Sequence, residues 1–353
     1  MLLGRATPEA TAHFASRHGG RKKTGFFRET PQRWTVSSLG LGTYLGEKSA
    51  EADESYIDAV MAALTGGINV IDTSLNYRNQ RSERAIGQAI IRLIQAPKQL
   101  DRDEFTVCTK AGYLVRNAVP EVLRPEDVVG GMHSMAPSFL EDQLERSRHN
   151  LGLETIDVFY LHNPETQFGF VTPDEFYSRL RHAFGFLEQA VAAGKIQSYG
   201  AATWEGFRKP HALSLPRMES VAREIAGADH HFRFIQLPYN LAMPEAYSSR
   251  HETLNGASCS VLDAARELGI TAVASASILQ AKLARDLPPE MDTALPGLAG
   301  DAQRAIQFSR SAPGITTSLV GMGRRAHVEE NLGVGAVPPL TVEQYQALFR
   351  TIA

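Results

Sequence analysis

The chain has 353 residues, of which 36 are Lys or Arg and 39 are Asp or Glu, so its formal net charge is −3. A charge this small gives no electrostatic reason to expect a nucleic acid or an anionic membrane as a partner. With 43% hydrophobic and 21% charged residues, the composition is that of a folded globular protein and excludes disordered, collagen-like and coiled-coil chains. The length fits either two domains or one α/β barrel with insertions.

Two further features bear on the compartment. Cys108 and Cys259 are the only cysteines, too few for a disulfide framework or a four-thiolate metal site, so we expect a reduced intracellular protein. No apolar run approaches the roughly 20 residues that span a bilayer, and no apolar segment of the signal-peptide kind precedes the basic stretch at 17–23. We therefore predict a cytoplasmic protein with no membrane partner.

Residues 1–35 are predicted to form an irregular surface arm, with a short helix that starts at Thr7-Pro8-Glu9 and breaks at 19–23. From Val36 onward the chain repeats one pattern, an amphipathic helix that ends at glycine and a short β-branched run that follows. Ser138 and Glu141 suggest a capping box for one helix, and Thr172-Pro173 suggests the start of another.

Eight candidate strands follow from this pattern, at intervals of roughly 30 to 50 residues: Leu39–Thr43, Asn69–Asp72, Phe105–Lys110, Ile156–His162, Ser198–Ala202, Phe232–Gln236, Thr271–Ser275 and Thr316–Val320. This rhythm favours one (β/α)8 TIM barrel over a doubly wound sheet, because Gly40-Leu41-Gly42 lacks the spacing of a dinucleotide-binding turn. The sequence thus predicts an extension over residues 1–35 and a barrel over 36–353, with a C-terminal helix near Val342–Ile352.

Four long segments interrupt the repeat, each shortly after a strand: 111–137, 163–172, 238–257 and 279–300. In such a barrel the loops that follow the strands surround the active site, so we expect these segments to form lids and pocket walls on the C-terminal face.

Polar side chains follow three neighbouring predicted strands: Asp72 and Tyr77 after the second, Lys110 at the end of the third and His162 at the end of the fourth. Each alone has an ordinary interpretation as a helix cap, a packing residue, a solvated charge or a structural imidazole. Together they suit proton donation to a carbonyl oxygen as hydride reaches its carbon. Lys110, held by Asp72, would lower the pKa of Tyr77, and a neutral His162 would donate a hydrogen bond to the oxygen.

Several strings that span residues 36–335 carry a resemblance to one known family: 39–44, 67–77, Thr109-Lys110, 236–240 and Glu330-Asn331-Leu332. In this order they resemble the aldo-keto reductases. The resemblance implies a (β/α)8 barrel that interconverts carbonyls and alcohols with NADP(H). It also implies a catalytic tetrad at Asp72, Tyr77, Lys110 and His162, with Tyr77 as the general acid and base.

The same resemblance implies a set of cofactor-binding positions: Gly42, Thr43, Tyr44, Asp72, Ala202, Thr203, Gln236, Ser275, Gly321, Arg324, His327, Glu330 and Asn331. Two of them depart from the family pattern. Ala202-Thr203 stands where a Ser-Asn pair holds the nicotinamide carboxamide, and Ser275 stands where an aromatic ring stacks on the nicotinamide. Gln236, the third carboxamide contact, is retained.

At the adenosine end, Glu330-Asn331 match the pair that contacts adenine, whereas Gly321, Met322 and His327 occupy the usual 2′-phosphate positions. Arg324 and Arg325 are close enough to supply the missing cations. Their ordinary interpretation is a solvated pair at a helix start. On balance the resemblance favours NADP(H) over NAD(H).

Three classes of function compete for this sequence. The first is the oxidoreductase, with a small carbonyl or alcohol substrate. The second is a cofactor-binding regulatory subunit of the same fold, which the departures at Ala202-Thr203 and Ser275 support and the intact tetrad opposes. The third is a metal-dependent barrel hydrolase or isomerase, but Asp229-His230-His231 and the string 162–165 lack the spacing of a metal site. We predict no metal, and leave a homo-oligomer open.

Overall fold

The computed structural model describes residues 1–96, 100–210 and 212–352. Its strands are β1 Phe27–Glu29, β2 Thr35–Ser37, β3 Leu39–Gly42, β4 Val70–Asp72, β5 Thr106–Ala111, β6 Ile156–His162, β7 Ile196–Ala202, β8 Phe232–Pro238, β9 Glu252–Leu254, β10 Ala257–Cys259, β11 Thr271–Ser275 and β12 Ile315–Gly321. Its α-helices are α1 Pro8–Gly19, α2 Ala50–Gly66, α3 Arg81–Gln95, α4 Pro137–Leu151, α5 Pro173–Ala192, α6 Leu215–Ala226, α7 Glu245–Ser248, α8 Val261–Glu267, α9 Glu290–Ala294, α10 Asp301–Ser311, α11 Arg325–Asn331 and α12 Val342–Ile352.

Eight parallel strands close into a barrel in the order β3-β4-β5-β6-β7-β8-β11-β12. The predicted (β/α)8 barrel is therefore confirmed, and the eight predicted strands coincide with these eight. The other four strands pair into two short antiparallel hairpins, β1-β2 and β9-β10, outside the barrel. Because all eight barrel strands run the same way, their carboxyl ends lie at one face.

Glycines end the helices as the sequence pattern predicts. Gly67 (φ 104°) and Gly152 (φ 68°) adopt the left-handed conformation that ends α2 and α4, which an L side chain would disfavour. The start of α5 is also confirmed, since the Thr172 hydroxyl accepts the N–H of Glu175. The capping box at Ser138 is wrong: Pro137 is the first helical residue and Ala136 the N-cap, so α4 begins two residues earlier than predicted.

Residues 1–35 are not an irregular surface arm. They form α1 and the β1-β2 hairpin, and Phe14, Phe26 and Trp34 are buried. The Trp34 ring stacks 5.7 Å from the ring of Phe234 in β8. The predicted start of the helix is right, because Thr7 caps α1. The segment is bound to the N-terminal end of the barrel, where the N–H of Ala6 donates to Asp157 in β6 at 2.8 Å. Its aromatic side chains provide the apolar area that holds it there.

At the other end of the chain, the predicted C-terminal helix is present as α12. Its Tyr345 is buried and lies in hydrogen-bond contact with Tyr239, 2.6 Å between the two hydroxyl oxygens. In the described residues, none of the helices is both long and apolar enough to cross a membrane.

Candidate active site

A cavity of about 450 Å³ opens at the carboxyl ends of the barrel strands. Most of the predicted site residues line it: Gly42, Thr43, Tyr44, Asp72, Tyr77, His162, Ala202, Thr203, Gln236, Ser275 and Gly321. Lys110 lies behind them, buried at the end of β5. The structure thus brings the four tetrad residues together, as expected for side chains that follow neighbouring parallel strands.

Asp72 and Lys110 form a buried ion pair, with 2.5 Å between Asp72 Oδ1 and Lys110 Nζ. Lys110 also donates to the carbonyl of Thr73 at 2.7 Å, and the Gln236 amide donates to Asp72 Oδ2 at 2.8 Å. Burial alone would lower the pKa of Lys110, but the nearby Asp72, which also accepts its hydrogen bond, and Tyr77 together raise it. Lys110 is therefore a fixed ammonium group.

Tyr77 sits on the turn between β4 and α3, half-buried at the edge of the cavity. Lys110 Nζ lies 5.0 Å from the centre of its ring. Burial raises the pKa of Tyr77, while Lys110 acts in the opposite direction by stabilising the phenolate. At neutral pH Tyr77 therefore carries its proton beside a cation that would accept the phenolate once the proton has left.

His162 ends β6, and its ring lies edge-on to Tyr77 with 5.8 Å between ring centres. Its Nδ1 is 3.1 Å from the hydroxyl oxygen of Ser74. Burial, reinforced by Lys110, lowers the pKa of His162 well below its usual value. The imidazole is therefore neutral, as the sequence analysis requires.

Behind His162 lies a second buried histidine that the sequence analysis did not single out. His133 Nε2 is 2.8 Å from the main-chain oxygen of His162, and the Gln167 amide lies 2.9 Å from His133 Nδ1. Burial lowers the pKa of His133 to about 4, so the ring is neutral. With Nδ1 accepting from Gln167, Nε2 carries the hydrogen and donates to His162. No spacing in the sequence marks this contact.

Around the mouth of the cavity, Tyr113 and Trp204 form an aromatic lining, and Tyr113 belongs to the predicted segment 111–137. The Asn163 amide donates to the Tyr113 hydroxyl at 3.0 Å. The predicted segment 238–257 does not line the cavity. Instead Asn240 donates to the carbonyl of Ala276 at 3.0 Å and supports the loop after β11.

That loop, residues 276–281, supplies further lining residues: Gln280 and Ala281 belong to the predicted segment 279–300, whereas 276–278 lie just before it. Ala276, Leu279, Gln280 and Ala281 all adopt positive φ values, between 47° and 69°. Such conformations are disfavoured for side chains other than glycine and persist only where the surroundings impose them. A run without glycine gives no turn signal, which is why the sequence did not reveal these backbone conformations.

Gly321, at the end of β12, lines the cavity, whereas the other adenosine-end residues lie on α11 or just before it, outside the lining. Arg324, His327 and Glu330 are exposed, whereas Asn331 is buried. Arg325 is bound to Glu329 at 2.9 Å and to Asp58 at 3.0 Å, which agrees with its ordinary interpretation as a surface charge. Arg324 has no ion pair within the described chain. Across the same residues, no three His, Cys, Asp or Glu side chains are placed to hold a metal ion.

A sequence model of the Aldo/keto reductase family matches residues 38–241, more than half of the chain. The chain belongs to the aldo/keto reductase family.

Two curated relatives of this family member have defined activities. The NADH-specific methylglyoxal reductase of Escherichia coli (strain K12) is 28% identical over 173 residues, which are 48% of this chain and 48% of that protein. The D-threo-aldose 1-dehydrogenase of a Pseudomonas species is 29% identical over 166 residues, 43% of this chain and 44% of the relative. The matches thus span about half the length of these relatives.

Solved structures of aldo/keto reductases share the fold across nearly the whole chain. An aldo/keto reductase from Klebsiella pneumoniae in complex with NADP and acetate has a TM-score of 0.65 at 19% identity, covering 92% of this chain and 95% of that chain. The glycerol dehydrogenase of Gluconobacter oxydans has a TM-score of 0.65 at 19% identity, covering 94% and 96%. At such identities the likeness shows the barrel fold alone.

Proposed function

We propose that this protein is an oxidoreductase that interconverts an aldehyde or ketone with its alcohol, using NADP(H) and Tyr77 as the general acid and base. One observation carries the proposal. A protonated Tyr77, an ammonium fixed by Asp72 and a neutral His162 meet at a single cavity. These are the groups that general acid catalysis requires to protonate a carbonyl oxygen.

The nicotinamide, when bound, supplies the hydride for the carbonyl carbon in one direction and accepts it in the other. Tyr77 gives its hydroxyl proton to the carbonyl oxygen, and Lys110 stabilises the resulting phenolate. For this step His162 is in the tautomer that carries its hydrogen on Nε2, and from there it donates to the same oxygen. Asp72 keeps Lys110 in place.

The residues present fit a dinucleotide. The barrel end offers a cavity edge of small residues, Gly42, Ala202, Ser275 and Gly321. Beyond it, the buried side-chain oxygen of Asn331 has no hydrogen-bond partner among the described residues. A buried acceptor without a donor is unfavourable, so a ligand group that donates to it would bind there.

The choice of phosphorylated cofactor rests on Arg324, whose guanidinium is exposed and carries no ion pair within the described chain. We expect Arg324→Ala to raise the KM for NADPH by about tenfold and to leave the KM for NADH unchanged, because one charge-assisted contact to a phosphate is lost. Arg325→Ala is the matched control. Equal effects on both cofactors would show that Arg324 does not discriminate between them.

The proposal is tested by the oxidation of NADPH and NADH by the purified protein, followed at the nicotinamide absorbance with a panel of simple aldehydes. Turnover of at least one aldehyde is the expected result. Tight cofactor binding without oxidation of any aldehyde would instead favour the regulatory subunit, which is consistent with Ala202-Thr203 and Ser275 in place of the family pattern.

A further inference from the structure

The segment after β6 makes a connection that the proposed chemistry does not use. The main-chain ladder between β6 and β7 ends where the N–H of Asn163 donates to the carbonyl of Ala202, at 2.6 Å. Beyond that point, Glu165 Oε1 accepts from three consecutive main-chain N–H groups, those of Trp204 at 2.7 Å, Glu205 at 3.1 Å and Gly206 at 3.4 Å. The Glu165 side chain thus connects the loop after β6 to the loop after β7, beyond the point where the two strands pair.

The chemistry of this contact is that of an anion in a ring of main-chain dipoles. Consecutive N–H groups that converge on one point bind anions, and a charged acceptor roughly doubles the strength of each hydrogen bond. Burial raises the pKa of Glu165, and the three N–H groups oppose this effect. No ion pair involves Glu165 within the described residues, and its Oε2 is buried without a partner. The main chain of 204–206 is therefore its counter-charge.

What this anchor holds is Trp204, a wall residue at the mouth of the cavity. The Trp204 side chain is 39% exposed and lines the cavity together with Tyr44 and Tyr113. Among the described lining residues, Asp72 is the only charged one, and it is tied to Lys110. The mouth therefore suits an uncharged molecule with a flat apolar face rather than a carboxylate or a phosphate.

We propose that Glu165 is a positioning residue that fixes Trp204 as a wall of the pocket, and that Trp204 selects carbonyl compounds bearing an aromatic ring. The selection rests on the proposed function, whereas the anchoring of Trp204 does not. Glu165 acts only through the loop 204–206. Its loss therefore affects large aromatic substrates, which contact Trp204, more than small ones, which reach Tyr77 without that contact.

The kinetic test compares benzaldehyde with acetaldehyde as substrates of the full chain. Glu165→Ala is expected to lower kcat/KM for benzaldehyde by about tenfold, mainly through KM, and to change that for acetaldehyde by less than about twofold. Glu165→Gln retains a side-chain oxygen as acceptor and should recover most of the loss. Glu205→Gln is the matched control, because Glu205 is exposed on the same loop and pairs with Lys209.

A second measurement needs no turnover, because the chain has two tryptophans and they differ in exposure. Trp34 is 5% exposed and Trp204 is 39% exposed, so acrylamide quenches mainly Trp204; the Trp204→Phe variant gives the contribution of Trp34. Glu165→Ala should increase both the quenching of Trp204 and its rotational freedom in fluorescence anisotropy. Glu205→Gln should leave both unchanged.

The outcomes separate the two levels of the inference. Equal losses for both aldehydes with unchanged quenching would overturn the positioning role. Changed quenching with an unchanged ratio of the two aldehydes would overturn the selection by Trp204. If Glu165→Ala does not fold, Trp204→Ala must shift the ratio in the same direction, and an unchanged ratio there contradicts the inference. An inactive wild-type protein would refute the proposed function, while the quenching still decides the anchoring.

Discussion

The two ends of the barrel each bury one carboxylate with one cation, and they use the pair differently. At the N-terminal end, Asp157 Oδ2 lies 2.7 Å from an Arg102 nitrogen and also accepts the N–H of Val107 at 2.7 Å. Its other oxygen accepts the N–H of Ala6 at 2.8 Å and the Gln197 amide at 2.7 Å. This pair ties the N-terminal segment, β5, β6 and β7 together.

At the C-terminal end, Asp72 and Lys110 are equally buried, but Lys110 faces Tyr77 at the edge of a cavity of about 450 Å³. The same kind of ion pair therefore serves two purposes. Where main-chain N–H groups donate to the remaining carboxylate oxygens, the ion pair holds structural elements together. Where a titratable hydroxyl and a cavity adjoin it, the pair can support proton transfer.

The largest effect is expected from Lys110→Met, which should reduce aldehyde turnover by about 10²-fold to 10⁴-fold, because Tyr77 loses the cation that stabilises its phenolate. Initial rates with NADPH measure the loss, and circular dichroism checks that the barrel still folds. A variant that keeps near wild-type turnover would remove Lys110 from the proposed mechanism.

At the opposite end, Asp157→Ala should lower the free energy of unfolding by about 3–5 kcal/mol, since Arg102 is left buried without its counter-ion. Folded enzyme should retain its kcat, because this end does not contact the cavity that holds Tyr77. Urea denaturation and kinetics at low temperature provide the two readouts. An unchanged unfolding midpoint together with lost turnover would contradict the division between the ends.

A smaller effect concerns pH and the support behind His162. Because the pKa of His133 is held near 4, well below that of an exposed histidine, the unfolded chain binds a proton that the folded chain does not. Stability contributed by neutral His133 is therefore present above about pH 6.5 and is lost as the pH falls toward 4.

Within that window, His133→Gln should reduce the slope of the unfolding free energy against pH by about 1.4 kcal/mol per pH unit. Denaturation series at several pH values measure the slope. An identical slope in the variant would mean that His133 titrates alike in the folded and unfolded chain.

Much of the barrel could be predicted because its strands are buried on both faces and its helices stop at glycine, so each element leaves a local signal. Asp72, Lys110 and His162 stood out for the same reason, as polar residues at the ends of apolar runs. The arm was mistaken because Phe14, Phe26 and Trp34 are spread over a polar segment without periodicity. The Trp34 ring stacks on Phe234, which lies far away in sequence.

The supporting residues of the site could not be predicted. His133 and Glu165 act through main-chain groups, His133 on the His162 carbonyl and Glu165 on the N–H groups of 204–206. Every residue carries main-chain N–H or C=O groups, so a main-chain partner cannot be recognised from the residue type. The long loops bring these groups together only through tertiary contacts. The positive φ values at 276–281 are imposed in the same way.

The central claim is that Tyr77 delivers the proton, and a single-turnover experiment with Tyr77→Phe tests it most directly. The variant is mixed with NADPH and an aldehyde that the wild type reduces, and cofactor binding and oxidation are followed separately. We expect NADPH binding with the wild-type Kd and hydride transfer slowed by at least about 10²-fold. Hydride transfer at the wild-type rate would contradict it.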